Sequence, residues 1–453
     1  MSEYEKYRDS GVFWLGKIPE HWELKRTKAI LAERNEKNDP LKTSFILSLG
    51  ASYGVVPYSE KEGGGNKAKE DVTAYKLAYP GDIVMNSMNV ISGSVGLSRY
   101  YGCVSPVYYM LYPRNKNISV EYYNLLFQTN AFQRSLIGLG NGIMMKESQN
   151  GSFNTVRMRI PIAKINVLLL PVPPMEEQLA ICDYLNREIS KIDEIIAESK
   201  GSIEEYKKWK ASIIFEAITK GLDPTVEMKD SGIGWIGSIP KSWNLIKITR
   251  VLDRSHPYPI GDGDHGLVKT TDYMEDGIPY IRVQNLGWGT ELNLENVVYI
   301  TAEKNETIRN STLKPNDILF AKTGATIGKT GIIPEYLQVS NTTSHVGKIT
   351  VSPLYNARYV FYVLSSMVGY NQFWEIASAK TTRPELSIEE IKSIRITLPP
   401  TRTEQDLIVH YLDEKCPHID ELIAEKELLI EDLEVFKKSL IFEVVTGKRR
   451  VTE

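Results

Sequence analysis

Two long stretches of the chain, residues 177–219 and 404–446, carry apolar side chains at steps of three and four residues, with Glu and Lys between them. This spacing places the apolar side chains along one stripe of an α-helix. Pro417 suits a first helical turn, and Ser190 at the equivalent position can cap a helix. Each helix is therefore predicted to hold about 29 residues beyond that point and to be about 44 Å long, with Gly201 as an interruption of the first. Because one helix cannot bury so long a stripe alone, the two are predicted to pair as a coiled coil.

The two stretches are copies of one sequence. A shift of 227 positions superimposes them with 19 of 43 residues identical. A second repeat lies earlier in each half: residues 9–24 and 230–245 share nine of sixteen residues and contain two tryptophans each. We call these two segments the tryptophan motifs. Since equivalent segments are expected to fold alike, the repeat determines the predicted architecture.

Each predicted helix is preceded by an alternating segment that ends in two prolines. Residues 168–172 alternate before Pro173 and Pro174, and residues 394–398 alternate before Pro399 and Pro400. The alternation predicts a half-buried strand, and the prolines turn the chain into the helix.

Between each tryptophan motif and its proline pair lies a domain, and the two domains share little sequence. Both contain a turn followed by an apolar strand, at residues 80–85 and 315–320, and then a Ser/Thr/Gly-rich segment. Short alternating runs of Val, Ile, Thr and Tyr predict substantial sheet in both, so the fold class is α+β (mixed α/β). The predicted boundaries are 1–170 for the first domain, 171–229 for the first long helix and linker, 230–397 for the second domain, and 398–453 for the second long helix and C-terminal tail.

The net charge of −3 is unevenly distributed. Basic residues exceed acidic ones by seven within residues 21–170 and by one within 241–397, whereas acidic residues prevail by four in 176–229 and by five in 402–453. A basic domain beside acidic helices suits a polyanion on one surface and a protein partner on another.

Composition limits the cellular setting. The chain has no run of eighteen apolar residues and begins with a polar, acidic segment, which predicts a cytoplasmic protein without a membrane span or signal peptide. The three cysteines, Cys103, Cys182 and Cys416, occupy no equivalent repeat positions and have no metal-ligand spacing, so they are predicted to be free thiols.

The motifs that could carry chemistry are weak. Residues 324–330 resemble a phosphate-binding loop, but three residues instead of four separate the glycines, so we interpret this segment as a turn that exposes Lys322, Thr323 and Lys329. Asp262 and Asp264 lack further ligands at metal-binding spacing and indicate a turn. The sequence shows no pattern for nucleophilic catalysis, adenosylmethionine binding or a metal nuclease, which predicts a chain without an active site of its own.

Two polar loops are predicted shortly before the proline-ended strands, at residues 138–152 and 378–385. Their Lys, Arg and Asn side chains have the donors and acceptors that contact base edges in a DNA groove.

The duplicated motifs resemble the DNA-specificity subunits of type I restriction-modification systems over essentially the whole chain. The segments that carry the resemblance are DSGVFWLGKIPEHW with DSGIGWIGSIPKSW, PVPPMEEQ with LPPTRTEQ, KIDEII with HIDELI, and SIIFEAITKG with SLIFEVVTGK. They occur in duplicate and in the same order.

The resemblance implies two target-recognition domains, each contacting one half of a bipartite DNA site. It implies that the two long helices pack antiparallel in a pseudo-twofold arrangement, set the spacer between the half-sites and dock two methyltransferase subunits, which endonuclease-translocase subunits then join. A helix of about 44 Å corresponds to about 13 base pairs of DNA. Catalysis resides in the partners, which bind S-adenosylmethionine, ATP and Mg, and this chain has no cofactor.

Candidate DNA contacts were chosen by chemistry: amides and Arg match base edges, and Lys matches phosphates. In the first domain they are Lys67, Lys69, Asn86, Asn89, Tyr101, Lys146 and Asn150. In the second domain they are His265, Arg282, Gln284, Asn285, Lys322, Thr323, Lys329, Lys380 and Arg383.

Two other hypotheses remain open at this point. The chain would be an enzyme if it carried its own methyltransferase or nuclease activity, which adenosylmethionine binding by the isolated protein would reveal. It would be a coiled-coil scaffold if it showed no sequence-dependent DNA binding with methyltransferase partners.

Overall fold

The computed structural model describes residues 2–51, 53–61, 67–140, 146–147, 153–154, 159–289, 292–380 and 384–451. The chain divides into two compact units, Met1–Ser199 with Leu428–Glu453 (the first unit) and Lys200–Glu427 (the second unit). Each unit contains one sheet-rich domain and a part of each long helix. The four-part division expected from the sequence stays a prediction.

The elements up to α5 belong to the first unit, except that the residues of α5 after Ser199 belong to the second. They are β1 Tyr7–Asp9, β2 Lys17–Pro19, β3 Glu23–Arg26, α1 Thr27–Ile30, β4 Leu31–Arg34, β5 Leu47–Gly50, β6 Gly54–Pro57, β7 Lys76–Ala78, β8 Ile83–Asn86, β9 Val95–Leu97, β10 Gly102–Val104, β11 Tyr108–Pro113, α2 Val120–Phe127, α3 Asn130–Ser135, β12 Lys146–Glu147, β13 Phe153–Asn154, α4 Ile162–Asn166, β14 Leu169–Val172 and α5 Met175–Lys220.

The elements from β15 onward belong to the second unit, except that the residues of α10 from Leu428 belong to the first. They are β15 Met228–Asp230, β16 Ser238–Pro240, β17 Asn244–Lys247, β18 Ile260–Asp262, β19 Ile278–Ile281, β20 Val298–Ile300, α6 Ala302–Thr307, β21 Ile318–Ala321, β22 Thr330–Ile332, β23 Asn341–Thr342, β24 Val346–Ile349, α7 Ala357–Ser365, α8 Met367–Ser378, α9 Ile388–Ser393, β25 Arg395–Leu398 and α10 Arg402–Val445.

The two recognition domains contain equivalent central sheets. The strand order is β4-β11-β8-β9 in the first domain and β18-β24-β21-β22 in the second, and all neighbours in both sheets are antiparallel. The turns predicted at residues 80–82 and 315–317 lead into β8 and β21. The Asp82 carboxylate accepts from the Tyr79 amide at 2.9 Å, and Asp317 accepts from the Lys314 amide at 3.0 Å. The same side-chain closure therefore starts the same strand in both domains.

The strands that end in prolines form as predicted. β14 pairs antiparallel with β3, which follows the first tryptophan motif, and β25 pairs antiparallel with β17 in the same way. Each tryptophan motif is thus joined through a strand pair to the start of a long helix.

The long helices are longer than the sequence pattern predicted. α5 has 46 residues and α10 has 44, which at 1.5 Å per residue makes them about 69 and 66 Å long. Gly201 lies inside α5 without interrupting it, and Pro417 lies inside α10 instead of in its first turn. The predicted start at Ser190 and Pro417, and with it the length of about 44 Å, is wrong because tertiary contacts of the first helical turns keep residues 175–189 and 402–416 helical.

The predicted antiparallel coiled-coil pairing of the two helices is confirmed within each unit. In the first unit, Ile192 and Ile196 of α5 share a buried core with Leu440 of α10, and Lys437 pairs with Asp193 at 2.6 Å. In the second unit, Lys210 of α5 pairs with Asp420 of α10, also at 2.6 Å.

These two ion pairs occupy equivalent positions of the repeat, 227 residues apart. One set of interhelical contacts is therefore made twice by the same residue types.

The three cysteines are buried and free, as predicted. Burial raises the pKa of the Cys416 thiol to about 11, so this thiol is protonated at neutral pH. Within the described ranges, no helix has the combination of length and apolar character that a membrane crossing requires.

Candidate nucleic-acid interface

Each tryptophan motif is anchored to the first turn of a long helix. The indole N–H of Trp22 donates to Glu177 Oε2 at 2.9 Å, and that of Trp243 donates to Glu404 Oε1 at 2.8 Å. Both indoles are fully buried, so their N–H groups need these partners.

Glycines at the last turn of the opposite helix complete each anchor. Gly447, past the end of α10, has φ of 72°, and Gly221, past the end of α5, has φ of 75°. Both lie directly against the tryptophan of their own unit: an added Cβ would lie 2.9 Å from Trp22 at Gly447 and 3.3 Å from Trp243 at Gly221. The left-handed backbone ends each helix where the indole packs.

We call the two long helices α5 and α10 together with the two tryptophan motifs the frame. A second set of repeated contacts fixes each sheet-rich domain on this frame. Gln178 Oε1 accepts from the Ser119 amide at 2.8 Å, and Gln405 Oε1 accepts from the Asn356 amide at 2.9 Å. Both glutamine side chains are buried. The residues they hold are the N-caps of α2 and α7, so each glutamine sets the start of a domain helix from a long helix.

The second recognition domain brings several predicted contacts together around one cleft of about 420 Å³. Its wall includes the predicted residues His265, Lys322 and Lys380, and also Asp262 and His345. The cleft lies at the end of the central sheet, where β18 ends at Asp262 and β21 ends just before Lys322. We call it the Asp262 cleft.

Lys322 of this cleft wall and the adjacent Thr323 are not exposed as predicted. They are 5% and 8% exposed. The Lys322 ammonium forms an ion pair with the carboxylate of Asp262, whose other oxygen lies 3.2 Å from His265 Nε2. The prediction of an exposed turn was wrong here because an acidic partner 60 residues away in sequence covers the ammonium group.

Lys380 is anchored at the rim of the cleft. Its Nζ donates to Glu390 Oε2 at 2.7 Å and to the Glu385 carbonyl oxygen at 2.6 Å. Partial burial alone would raise the pKa of Glu390, but the hydrogen bonds from Lys380 and Ser387 outweigh it and lower that pKa to about 2. Glu390 is therefore ionised at neutral pH and holds the ammonium group in place.

Four further candidates in the second domain, Arg282, Gln284, Asn285 and Lys329, lie outside the cleft lining. Asn285 is buried, where it accepts from the Arg282 amide at 2.9 Å and donates to the Asn293 carbonyl at 2.8 Å, so its amide stabilises a turn. Arg282 donates to the Asn296 carbonyl at 3.0 Å. Gln284 is exposed and Lys329 is half-buried.

The candidates of the first domain do not converge on one cleft. Asn86 is buried at the end of β8, and its Oδ1 accepts from the Met88 amide at 3.0 Å. Asn89 is half-buried in the following turn, where its amide donates to the Asn86 carbonyl. Both asparagines therefore shape the turn after β8.

Other first-domain candidates are on the surface or outside the description. Lys67 and Lys69 are exposed, and Tyr101 is exposed with its ring edge-on to Tyr79 at 5.0 Å. The side chain of Lys146 and all of Asn150 lie outside the described residues, as does Arg383 of the second domain.

Sequence inspection did not single out Asp262 or His345 as site residues. The sequence indicated only a turn at Asp262, and it gave no signal for His345. Both residues lie at the ends of strands of the central sheet. Their proximity cannot be inferred from the sequence until the order of the strands in that sheet is known.

Comparisons with known proteins agree with this architecture. Residues 266–431 match the family model described as the type I restriction modification DNA specificity domain. The MjaVIII type I restriction enzyme specificity subunit of Methanocaldococcus jannaschii is 27% identical over 286 residues, 62% of this chain and 62% of that protein. The EcoBI specificity subunit of Escherichia coli is 26% identical over 290 residues, 62% of this chain and 58% of that protein. This chain thus spans about six tenths of the length of these curated relatives.

A solved structure shows the same fold. It comes from work on the complex assembly and conformational transition of the type I R-M system. The two chains superpose with a TM-score of 0.68 at 14% sequence identity. The superposition covers 94% of this chain and 98% of the solved chain.

The duplicated segments, the paired helices and the two sheet-rich domains define a class of proteins that carry two unlike domains between repeated helical segments. Within that class, the chain is similar to DNA specificity subunits of type I restriction-modification systems.

Proposed function

We propose that this chain is the non-catalytic subunit that selects the DNA site of a type I restriction-modification complex. Each recognition domain contacts one half of a bipartite, asymmetric site, and the paired helices set the spacer. The observation that supports this best is the repetition of the frame contacts around two unlike domains. A frame that repeats its contacts suits two copies of one partner, and unlike domains suit two unlike half-sites.

The proposed partners are duplex DNA, two methyltransferase subunits and endonuclease-translocase subunits. Exposed aromatic residues at equivalent positions of the long helices, Trp209 on α5 and Phe436 on α10, support docking of two like subunits. Methyl transfer and cleavage, with S-adenosylmethionine, ATP and Mg, are assigned to the partners, and the complex is assigned to the cytoplasm.

The proposed DNA contacts follow the exposure and charge of the two domains. Lys67, Lys69 and Tyr101 are exposed on a domain with a basic excess, which suits phosphate attraction and base stacking. In the second domain, the Asp262 cleft brings together His265, His345 and Lys380 with the carboxylates of Asp262 and Glu385. Lys146, Asn150 and Arg383 belong to the two predicted loops and remain proposed contacts.

A selection experiment tests the proposed function. The chain is purified with its methyltransferase subunits and incubated with a library of randomised duplex DNA, and the bound duplexes are sequenced over several rounds. We expect enrichment of two short, unlike sequence blocks with a fixed gap. The methyltransferase subunits alone serve as the control. Enrichment of one continuous block, or no enrichment beyond the control, would contradict the proposal.

A further inference from the structure

An apolar stripe lies on the exposed side of α10 within the first unit. Leu428 and Val435 are 59% and 61% exposed, and Phe442 is half-buried. The three residues follow one another at intervals of seven, which places them on one side of the helix over about 21 Å. We call them the α10 stripe. Apolar side chains at this interval are typical of the seam along which a helix pairs with another helix.

The α10 stripe ends at an apolar groove of about 760 Å³. Phe442 forms part of the groove wall, together with Trp14 and the fully exposed Phe13. Arg134 and Lys438 also line this groove and are exposed. A continuous apolar surface with charged residues at its edge is typical of a site that binds another protein.

This surface is not repeated in the second half of the chain. On α5, Gly201 and Lys208 occupy the positions equivalent to the first two residues of the stripe. In the second tryptophan motif, Gly234 takes the place of Phe13. A partner that binds in two like copies, one to each half, would need the surface twice. A second copy of this chain needs it only once per chain, because a two-fold dimer uses the same surface on both copies.

The charges beside the α10 stripe make it complementary to itself. Glu431 and Asp432 flank the first half of the stripe, and Lys438 flanks the second half near Arg134 of the groove. All four side chains are exposed, and within the described ranges they form no salt bridge. In an antiparallel pair centred on Val435, the two carboxylates of each copy would lie opposite Lys438 of the other. Opposite charges would therefore meet at both ends of the pair.

We propose that two copies of this chain pair through their α10 stripes in an antiparallel, two-fold arrangement, with Leu428 of each copy packing at the groove of the other. Phe436 lies about 100° around the helix from Val435. The pairing therefore does not use the residues that are proposed to dock the methyltransferase subunits. It goes beyond the proposed function and does not depend on it.

Sedimentation velocity of the full chain over a range of concentrations measures the pairing. The wild-type chain is expected to change from monomer to dimer as its concentration rises. Val435→Glu would place one carboxylate from each copy at the two-fold axis, and we expect it to raise the Kd of the dimer at least about tenfold. Leu429→Glu is the matched control, because Leu429 is also exposed on α10 but lies about 120° around the helix from Val435. Circular dichroism checks that both variants are folded.

A charge exchange tests the antiparallel register. Lys438→Glu places like charges opposite each other at both ends of a homodimer, and so does the double variant Glu431→Lys with Asp432→Lys. Each variant alone is expected to lose dimerisation. When the two variants are mixed, every altered charge lies opposite one of the other sign, so the mixed dimer is expected to form. Damage to the fold would not be reversed by mixing.

A wild-type chain that stays monomeric at every concentration would overturn the inference. A dimer that Val435→Glu leaves unchanged, or charge variants that do not recover on mixing, would also overturn it. Loss of methyltransferase binding in the Val435→Glu variant, with a free chain that is monomeric, would overturn it as well and assign the stripe to that partner. The selection of DNA sites is measured in a separate experiment, so failure of the pairing would leave the proposed function standing.

Discussion

A chain in which Trp209 and Phe436 are both replaced by alanine is expected to fold normally and to lose binding to the two proposed methyltransferase subunits. The aromatic side chains occupy equivalent positions on α5 and α10 and are 50% and 49% exposed. Each precedes a lysine of the repeated interhelical ion pairs, Lys210 or Lys437, so the local helix is held in the same way at both positions. Aromatic side chains that become buried on association are frequent hot spots, and truncation of one typically costs at least about 2 kcal/mol, or roughly thirtyfold in Kd.

The single variants separate this explanation from general damage to the helices. Trp209→Ala and Phe436→Ala should each leave a complex with one methyltransferase subunit, which mass photometry distinguishes from the complex with two. Leu428→Ala is the matched control. Leu428 is also exposed on α10, at 59%, but the equivalent position on α5 is Gly201, so its side chain is not part of a repeated docking surface. A double variant that still binds two subunits with unchanged Kd would contradict the docking proposal.

Gly447→Ala is expected to destabilise the first unit by about 2–5 kcal/mol. The left-handed φ of 72° costs an L-residue roughly 1–2 kcal/mol. An added Cβ would also lie 2.5 Å from Pro19 Cδ, and overpacking of this kind costs about 1–3 kcal/mol. The proline is part of the first tryptophan motif, so the backbone there cannot move away without loosening the Trp22 anchor.

Two other glycines make this a graded series. Gly221→Ala has the same backbone cost, but its Cβ would only approach Trp243 at 3.3 Å, so a loss of about 1–2 kcal/mol is expected. Gly201→Ala should stabilise α5 by about 1 kcal/mol, because Gly201 is helical and an added Cβ meets nothing within 4 Å. Calorimetry should give the lowest unfolding temperature for Gly447→Ala, a higher one for Gly221→Ala and the highest for Gly201→Ala. A Gly447→Ala chain as stable as wild type would contradict the account of the frame.

The parts of the fold that the sequence predicted correctly are the segments that occur twice in the chain. The tryptophan motifs and the strands before the helices could be located because equivalent residues recur at a fixed shift. The turn at residues 80–82 was recognisable because Gly81 and Asn316 both supply the positive φ that the turn requires. Duplication turned weak local signals into specific ones.

The errors arose where long-range contacts override local preference. Ser190 and Pro417 are ordinary helix-start signals, but each helix starts earlier, where Gln178 and Gln405 bind the backbone of a recognition domain. Lys322 precedes a glycine-rich segment that predicted its exposure, yet it is buried against Asp262. Such partners become visible only when the sheet order places β18 and β21 in one sheet.

The most direct test of the central claim is a map of methylated bases in cells that express this chain with its proposed methyltransferase partner. The account predicts a new split motif, made of two short blocks with a fixed gap, that disappears when this chain is omitted. A stable, active complex that leaves no motif dependent on this chain would contradict the claim that it selects the DNA site.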